Sequence, residues 1–294
     1  MTDRLVLGTV QLGMLYGINN KIGKPDFNSA CDIVSSAFSL GITRFDTAQG
    51  YGDSEEVLGK IFDKLKVGAQ ARVYSKLQPN MDFSQEDVVE KSVDDSLGRL
   101  GIGQLEGLLL HNEDDLYSWD KGLGKNLRKL VNKGKVRSIG ISFYSPQKAL
   151  DALDLEGIDI IQVPANILDH RFEEAGVFKK ANECGKKVFV RSIFLQGLLL
   201  ISLDHVPVSL NYALPYLEKL EQMANSMKLT RFELSLRYAA QRWPESYIIF
   251  GAESSKQVIN NVRSLIPRTV LRVDESTFKD VPENVLNPML WSLS

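Results

Sequence analysis

Two cysteines and three histidines are all that this 294-residue chain holds of those types. Cys31 and Cys184 cannot build a disulfide framework. Both fall in helix-like stretches, where buried free thiols are expected. The histidines are too few for a barrel metallohydrolase. Neither His170 beside Asp169 nor His205 beside Asp204 has the spacing of a structural zinc site, so no metal is expected. An excess of one charge is also missing: the formal net charge is -2, with no long run of like sign. That argues against a nucleic-acid or anionic membrane partner, and Trp119, Trp243 and Trp291 lack nucleic-acid-binding context. The N-terminus MTDRLVLGTVQLG has no basic segment followed by a signal-length apolar core. No apolar run approaches membrane-spanning length, so a soluble cytoplasmic protein is the expectation.

Linkers are absent too. No shift in composition and no Pro/Gly/Ser-rich stretch divides residues 1–294, which read as one domain. A hydrophobic fraction of 44% is enough for a large core. Eight short apolar runs read as strands: 5–8, 42–46, 72–75, 106–110, 136–141, 159–163, 187–192 and 247–250. Amphipathic stretches at 29–41, 53–65, 82–101, 122–133, 146–154, 170–184 and 211–228 read as helices. Asp53 with Glu56 resembles a capping box at the start of the second of these. Eightfold strand–helix alternation predicts an α/β fold of the (β/α)8 TIM-barrel type. The competing doubly wound sheet usually carries GxGxxG after its first strand, and GTVQLG stands there instead. The 195–215 segment is the longest irregular part, either a substrate lid or a surface loop.

In a barrel the C-terminal strand ends converge on one face. Asp46 ends the second strand and Tyr51 lies in its loop. Lys76 follows the third strand and His111 the fourth. A lysine beside a phenol favours phenolate and lowers the tyrosine pKa, and an aspartate keeps that lysine charged and positioned. Tyr51 could then give a proton to a developing alkoxide or take one from an alcohol, with His111 bonding the same oxygen.

These residues, above all DTAQGYGDSEEVLG, resemble the signature of the aldo-keto reductases. There an aspartate is followed five residues later by the catalytic tyrosine. The resemblance runs from LGTVQLG at 7–13 to IIFGAESSKQVINN at 248–261. It implies an eight-stranded β/α barrel that moves hydride between a nicotinamide cofactor and a small-molecule carbonyl substrate. Tyr51 is then the general acid/base, Asp46 and Lys76 its tuning pair, and His111 the residue that orients the carbonyl. By the same resemblance Ser142 and Gln162 lie at the nicotinamide carboxamide. Gly251, Ala252, Ser254 and Ser255 form the phosphate-binding end, and Gln257 and Asn261 hold the adenosine half. Asn166 and Asp169 support loop structure, and Asn112, Phe143 and the 195–215 loop shape the pocket. Two departures stand out. Arg191, followed by Ser192, occupies the position where many members stack an aromatic on nicotinamide, with Phe194 nearby as an apolar contact. Gln257 replaces an arginine that holds the 2′-phosphate, and Lys256 substitutes only if it turns inward. NADPH is the family habit and NADH the alternative. Two other readings stay open: a nicotinamide-binding regulatory subunit with weak turnover, and a barrel lyase or epimerase. A monomer or weak homo-oligomer is expected.

Overall fold

The computed structural model describes residues 2–292 apart from 21, 80, 84, 267 and 268. Ser84, inside the expected 82–101 helix, and residues 293–294 of the tail thus lie outside the described residues. Eight parallel strands close in sequence order. They are β1 (Leu5–Gly8), β2 (Arg44–Asp46), β3 (Arg72–Lys76), β4 (Gly107–Leu110), β5 (Ile139–Ser142), β6 (Ile160–Pro164), β7 (Lys187–Arg191) and β8 (Tyr247–Gly251). The ring closes between the last strand and the first, with Gly8 level with both Gly251 and Asp46. This is the (β/α)8 barrel expected from the alternation.

The helices that cover the strands are α1 (Phe27–Ser39), α2 (Ser54–Leu65), α3 (Glu86–Leu100), α4 (Gly124–Asn132), α5 (Pro146–Leu153), α6 (Val177–Glu183), α7 (Leu214–Ser226), α8 (Arg231–Arg242) and α9 (Ser255–Ser264). Several differ from the sequence reading. The 170–184 stretch breaks at Gly176, whose φ of 83° ends a short turn before α6 begins. The segment between 228 and 247, unassigned above, holds α8. It opens on a true capping box, Thr230 with Glu233. The box expected at Asp53 does not form, because the Asp53 carboxylate pairs with Lys24 at 2.5 Å instead of capping α2. Cys31 is buried as expected, but Cys184 at the end of α6 is exposed.

Side chains alternate in and out along a strand. The inward set packs a small cluster inside the barrel: Val6, Tyr74, Leu109, Ile160, Phe189 and Ile249. Phe189 fills its centre, with ring centroids 4.7 Å from Tyr74 and 4.6 Å from Tyr247. Glycines make room for it. A side chain on Gly107 would begin 2.5 Å from the Tyr74 ring, and one on Gly140 would begin 2.6 Å from Ile160. The outward strand residues join the helices in the larger core.

The 195–215 segment runs over the surface, with Val208 and Tyr212 exposed, on buried anchors. Leu195, Leu198, Leu199, Leu210 and Ala213 are fully buried. Its near end grips the loop after β1, where the Ile18 N–H donates to the Gln196 carbonyl at 3.0 Å. Phe194 stacks on Phe232 of α8, 5.5 Å between centroids, and so packs as part of this anchor.

Because Phe189 touches both neighbouring rings inside a closed barrel, little can collapse into its space. Phe189→Ala should cost about 3–5 kcal/mol of stability, read as a shift in urea midpoint at unchanged slope.

Candidate active site

Two residues beyond each member of the interior cluster lies the next inward position, at the C-terminal rim of the barrel. From Val6, Tyr74, Leu109, Ile160, Phe189 and Ile249 that step reaches Gly8, Lys76, His111, Gln162, Arg191 and Gly251. One strand phase therefore supplies both the packed floor and the polar layer above it.

The centre of that layer is a buried ion pair. Lys76 Nζ donates to Asp46 Oδ1 at 2.9 Å, to Oδ2 at 2.8 Å and to the Thr47 carbonyl at 2.9 Å. Gln162 Nε2 donates to Asp46 Oδ1 at 2.7 Å. Lys76 is 1% exposed, so the ammonium is almost wholly out of water. Burial is the largest influence on its pKa and leaves it below the ordinary lysine range, against the pull of Asp46. A hydroxyl chain fixes the strand ends beneath. Thr9 Oγ1 donates to the Asp46 carbonyl at 3.0 Å, and Ser54 Oγ donates to the Thr9 carbonyl at 2.9 Å.

Tyr51 lies on this pair. Lys76 Nζ sits 4.8 Å from its ring centroid, and the His111 ring meets it edge-on at 5.7 Å. Two glycines set its loop. A side chain on Gly13 would begin 1.9 Å from the Tyr51 carbonyl, and one on Gly52 would begin 2.3 Å from the Gly13 carbonyl. The four expected residues are thus together, but their electrostatics differ from the sequence reading. The phenol pKa is raised far above its usual value, first by burial and then by the Asp46 charge. Lys76 does not bring it down, because its charge is matched by Asp46 and its Nζ lies over the ring. Tyr51 is held as a neutral phenol. His111 is held neutral as well, at about 4, by burial and by Lys76 and Arg191. Its Nδ1 is buried without a partner among the described groups. An unpaired N–H there costs more than an unpaired lone pair, so the proton belongs on Nε2, a donor suited to a carbonyl oxygen.

Arg191 and Ser192 close the other side. The guanidinium lies 4.2 Å from the Tyr144 ring centroid and donates to the Phe143 carbonyl at 3.1 Å and to Ser192 Oγ at 3.2 Å. The stacked pair at this rim is therefore a cation on Tyr144. Ser192 has a φ of 60°, a strained left-handed conformation. Its carbonyl accepts from Asn166 Nδ2 at 3.2 Å and from the Leu195 N–H at 2.9 Å. Asn166 and Asp169 support loops as expected, the latter through Arg171 at 2.9 Å. Phe143 does not line an open pocket by its side chain. Phe143 is fully buried in the core, and Asn112 Oδ1 accepts the Asp114 N–H at 3.1 Å.

Three nearby residues had escaped the sequence reading. Tyr16, in the loop after β1, has its pKa raised by burial and by Tyr51, which places it among the site's charges. Its segment MLYGINN has no periodic pattern to flag it. Tyr144 lies within RSIGISFY and also lines a cavity of about 400 Å³ with Glu113, Arg171, Glu283 and Asn287. The C-terminal segment therefore reaches this side of the mouth, while Trp291 donates to the Asn284 carbonyl at 2.9 Å within that segment. Gln11 is the third: a side chain on Gly251 would begin 2.3 Å from its Nε2.

At β8, the expected nucleotide end is a short loop and a helix start. Ser254 Oγ accepts the Gln257 N–H at 3.3 Å, and Gln257 Oε1 accepts the Glu253 N–H at 2.7 Å. Gln11 Oε1 and Asn261 Oδ1 are buried with no partner among the described residues. Such unpaired buried amides call for an explanation, and a bound ligand is one. With Ser142 and Gln162 at the rim, the residues present fit an extended dinucleotide.

The chain matches the aldo/keto reductase family over residues 4–276. It is 28% identical to L-galactose dehydrogenase of Arabidopsis thaliana over 303 residues, covering 96% of this chain and 90% of that protein. It is 25% identical to L-glyceraldehyde 3-phosphate reductase of Escherichia coli K12 over 269 residues, covering 79% and 78%. In fold it is similar to a glycerol dehydrogenase from Gluconobacter oxydans, with TM-score 0.73, 24% identity and coverage of 91% and 88%. It is similar again to the holo form of an aldo-keto reductase from Bacillus halodurans, with TM-score 0.75, 23% identity and coverage of 96% and 92%. The protein belongs to the aldo/keto reductase family, and carbonyl reduction is the general chemistry which that membership supports.

Two measurements test the electrostatics. Asp46→Ala leaves the Lys76 charge buried and unpaired, and should cost about 3–5 kcal/mol in chemical denaturation. His111 has a folded pKa of about 4 against an ordinary 6.5, so on acidification the unfolded chain protonates first. Its stabilising share is complete above the ordinary value and lost as pH falls toward the folded one. His111→Gln should flatten the decline of stability across that window, followed by urea midpoints at a series of pH values.

Proposed function

We propose that this protein is a nicotinamide-dependent oxidoreductase that reversibly reduces the carbonyl of an aldehyde, ketone or sugar derivative. The observation that carries the reading is the neutral Tyr51 phenol seated on the buried Lys76–Asp46 pair with His111 at its edge. The names of the relatives that act on L-galactose and on L-glyceraldehyde 3-phosphate support a sugar-like substrate. When bound, NADPH or NADH supplies the hydride for the carbonyl carbon.

The protein's part is to place the carbonyl oxygen and manage its proton. Ser142, Gln162, Arg191 and Ser192 would hold the nicotinamide end. Gly251, Ala252, Ser254, Ser255, Gln257 and Asn261 would hold the adenosine end. His111, neutral with its proton on Nε2, donates to the carbonyl oxygen and orients it. As negative charge develops on that oxygen, the Tyr51 hydroxyl gives up its proton. A phenol held far above its ordinary pKa is a reluctant acid toward water. An alkoxide is a stronger base than a phenolate, so the transfer remains downhill. The Arg191 guanidinium favours the phenolate left behind, and Asp46 with Gln162 keeps the Lys76 ammonium in register against the ring. In the reverse direction the same phenolate takes the proton of an alcohol. Thr9, Thr47 and Ser54 act at one remove, by fixing the strand ends that carry Asp46 and the Tyr51 loop.

Tyr51→Phe removes the proton donor and leaves the ring in place. Turnover with an accepted aldehyde should fall by about 10²–10⁴, while dinucleotide affinity in a fluorescence titration stays unchanged. Undiminished turnover would remove Tyr51 from the mechanism.

A further inference from the structure

The loop between β8 and α9 has a charge character that the nicotinamide reading alone does not explain. Glu253 lies between Gly251 and the Ser254 cap and is half-buried. Burial holds its carboxyl above the usual range. Gln257, at the position where a 2′-phosphate would call for a cation, has turned its Oε1 back onto the Glu253 N–H at 2.7 Å. The one basic side chain from 251 to 257 is Lys256, which is exposed.

The buried polar atoms around this loop add a second, independent observation. Asn261, 2% exposed on α9, has an Oδ1 without a partner among the described residues. Gln11, against Gly251, has an Oε1 without one. Both are acceptors, as is the Glu253 carboxylate. A ribose diol and an adenine amino group are donors. A 2′-phosphate is an acceptor with close to two negative charges at neutral pH. An acceptor-rich, acidic loop complements the first set and opposes the second. Partial burial of Glu253 lessens the solvent screening that would otherwise soften like-charge repulsion.

On the cofactor reading given above, we propose that Glu253 makes this site select NAD(H) over NADP(H), by accepting hydrogen bonds from the adenosine ribose diol and excluding a 2′-phosphate. In other dinucleotide folds an acidic residue at the ribose serves the same purpose. Glu253 is a specificity residue here, on a different strand-end loop from the proton-transfer groups.

The test is equilibrium titration of the full chain with NADH and with NADPH, read by nucleotide fluorescence in the absence of substrate. The unsubstituted protein should bind NADH at least about tenfold more tightly than NADPH, since like charges brought together cost several kcal/mol. Glu253→Gln should narrow that ratio. Glu253→Arg should invert it by offering the phosphate charge-assisted bonds. A thermal melt of each variant shows whether the fold is intact, so that a changed ratio at an unchanged melting temperature reports on binding alone. Equal or tighter binding of NADPH by the unsubstituted protein overturns the inference, as does a ratio that Glu253→Gln leaves unmoved. Binding of neither nucleotide overturns the cofactor reading itself, and this inference with it.

Discussion

The buried pair of Lys76 and Asp46 is the constraint around which the rim of this barrel is organised. An ammonium taken almost wholly from water is tolerable only with its charge matched and its protons bonded. Here its hydrogen bonds among the described residues go to Asp46 and the Thr47 carbonyl. The carboxylate is tied in turn to Gln162, which links β2 and β3 to β6 across the barrel. Tyr51 and His111 inherit their environment from this arrangement. The phenol stays protonated because the carboxylate and burial both oppose its charge. The imidazole stays neutral first because it is buried, and then because the ammonium and Arg191 oppose its own charge.

Backbone packing supports the same centre. The one-turn helix Val10–Gly13 after β1 presses against the Tyr51 loop so closely that Gly13 and Gly52 leave no room for a Cβ. Thr9 and Ser54 bond the two segments from below. On the opposite side the segment after β7 is anchored by buried leucines. It carries the strained Ser192 beside the Arg191–Tyr144 stack. The Tyr51 phenol thus has a closely packed loop against its backbone and feels the charge of a cation held by an aromatic ring.

Much of this was legible in the residues. Strand–helix alternation with eight apolar runs implies a parallel barrel, and each run was placed within a few residues of its strand. Asp46, Tyr51, Lys76 and His111 stand at strand ends that a barrel must bring together. What resisted reading had local causes. Tyr16 and Gln11 sit in irregular chain, where no periodicity distinguishes a site residue from a surface one. Asp53 carries the sequence pattern of a cap, but Lys24 competes for its carboxylate from a segment 29 residues away. Cys184 fell in an apparently continuous helical stretch, which Gly176 interrupts.

The sequence by itself determined the fold class and the four polar residues of the centre, because strand period and strand ends are local properties. Their protonation was decided only by tertiary structure. A lysine near a tyrosine reads as a device that lowers the phenol pKa. Once Asp46 neutralises that lysine and the pocket removes water, the desolvation of the phenolate outweighs it. Likewise Gln257 and Arg191 were visible as departures, but where their side chains go depended on neighbours distant in sequence or turned back on the loop. Arg191 bonds the Phe143 carbonyl, 48 residues away. Gln257 folds onto Glu253, four residues back. Charge in a folded protein is set by what surrounds a group, and those surroundings exist only after the chain has closed.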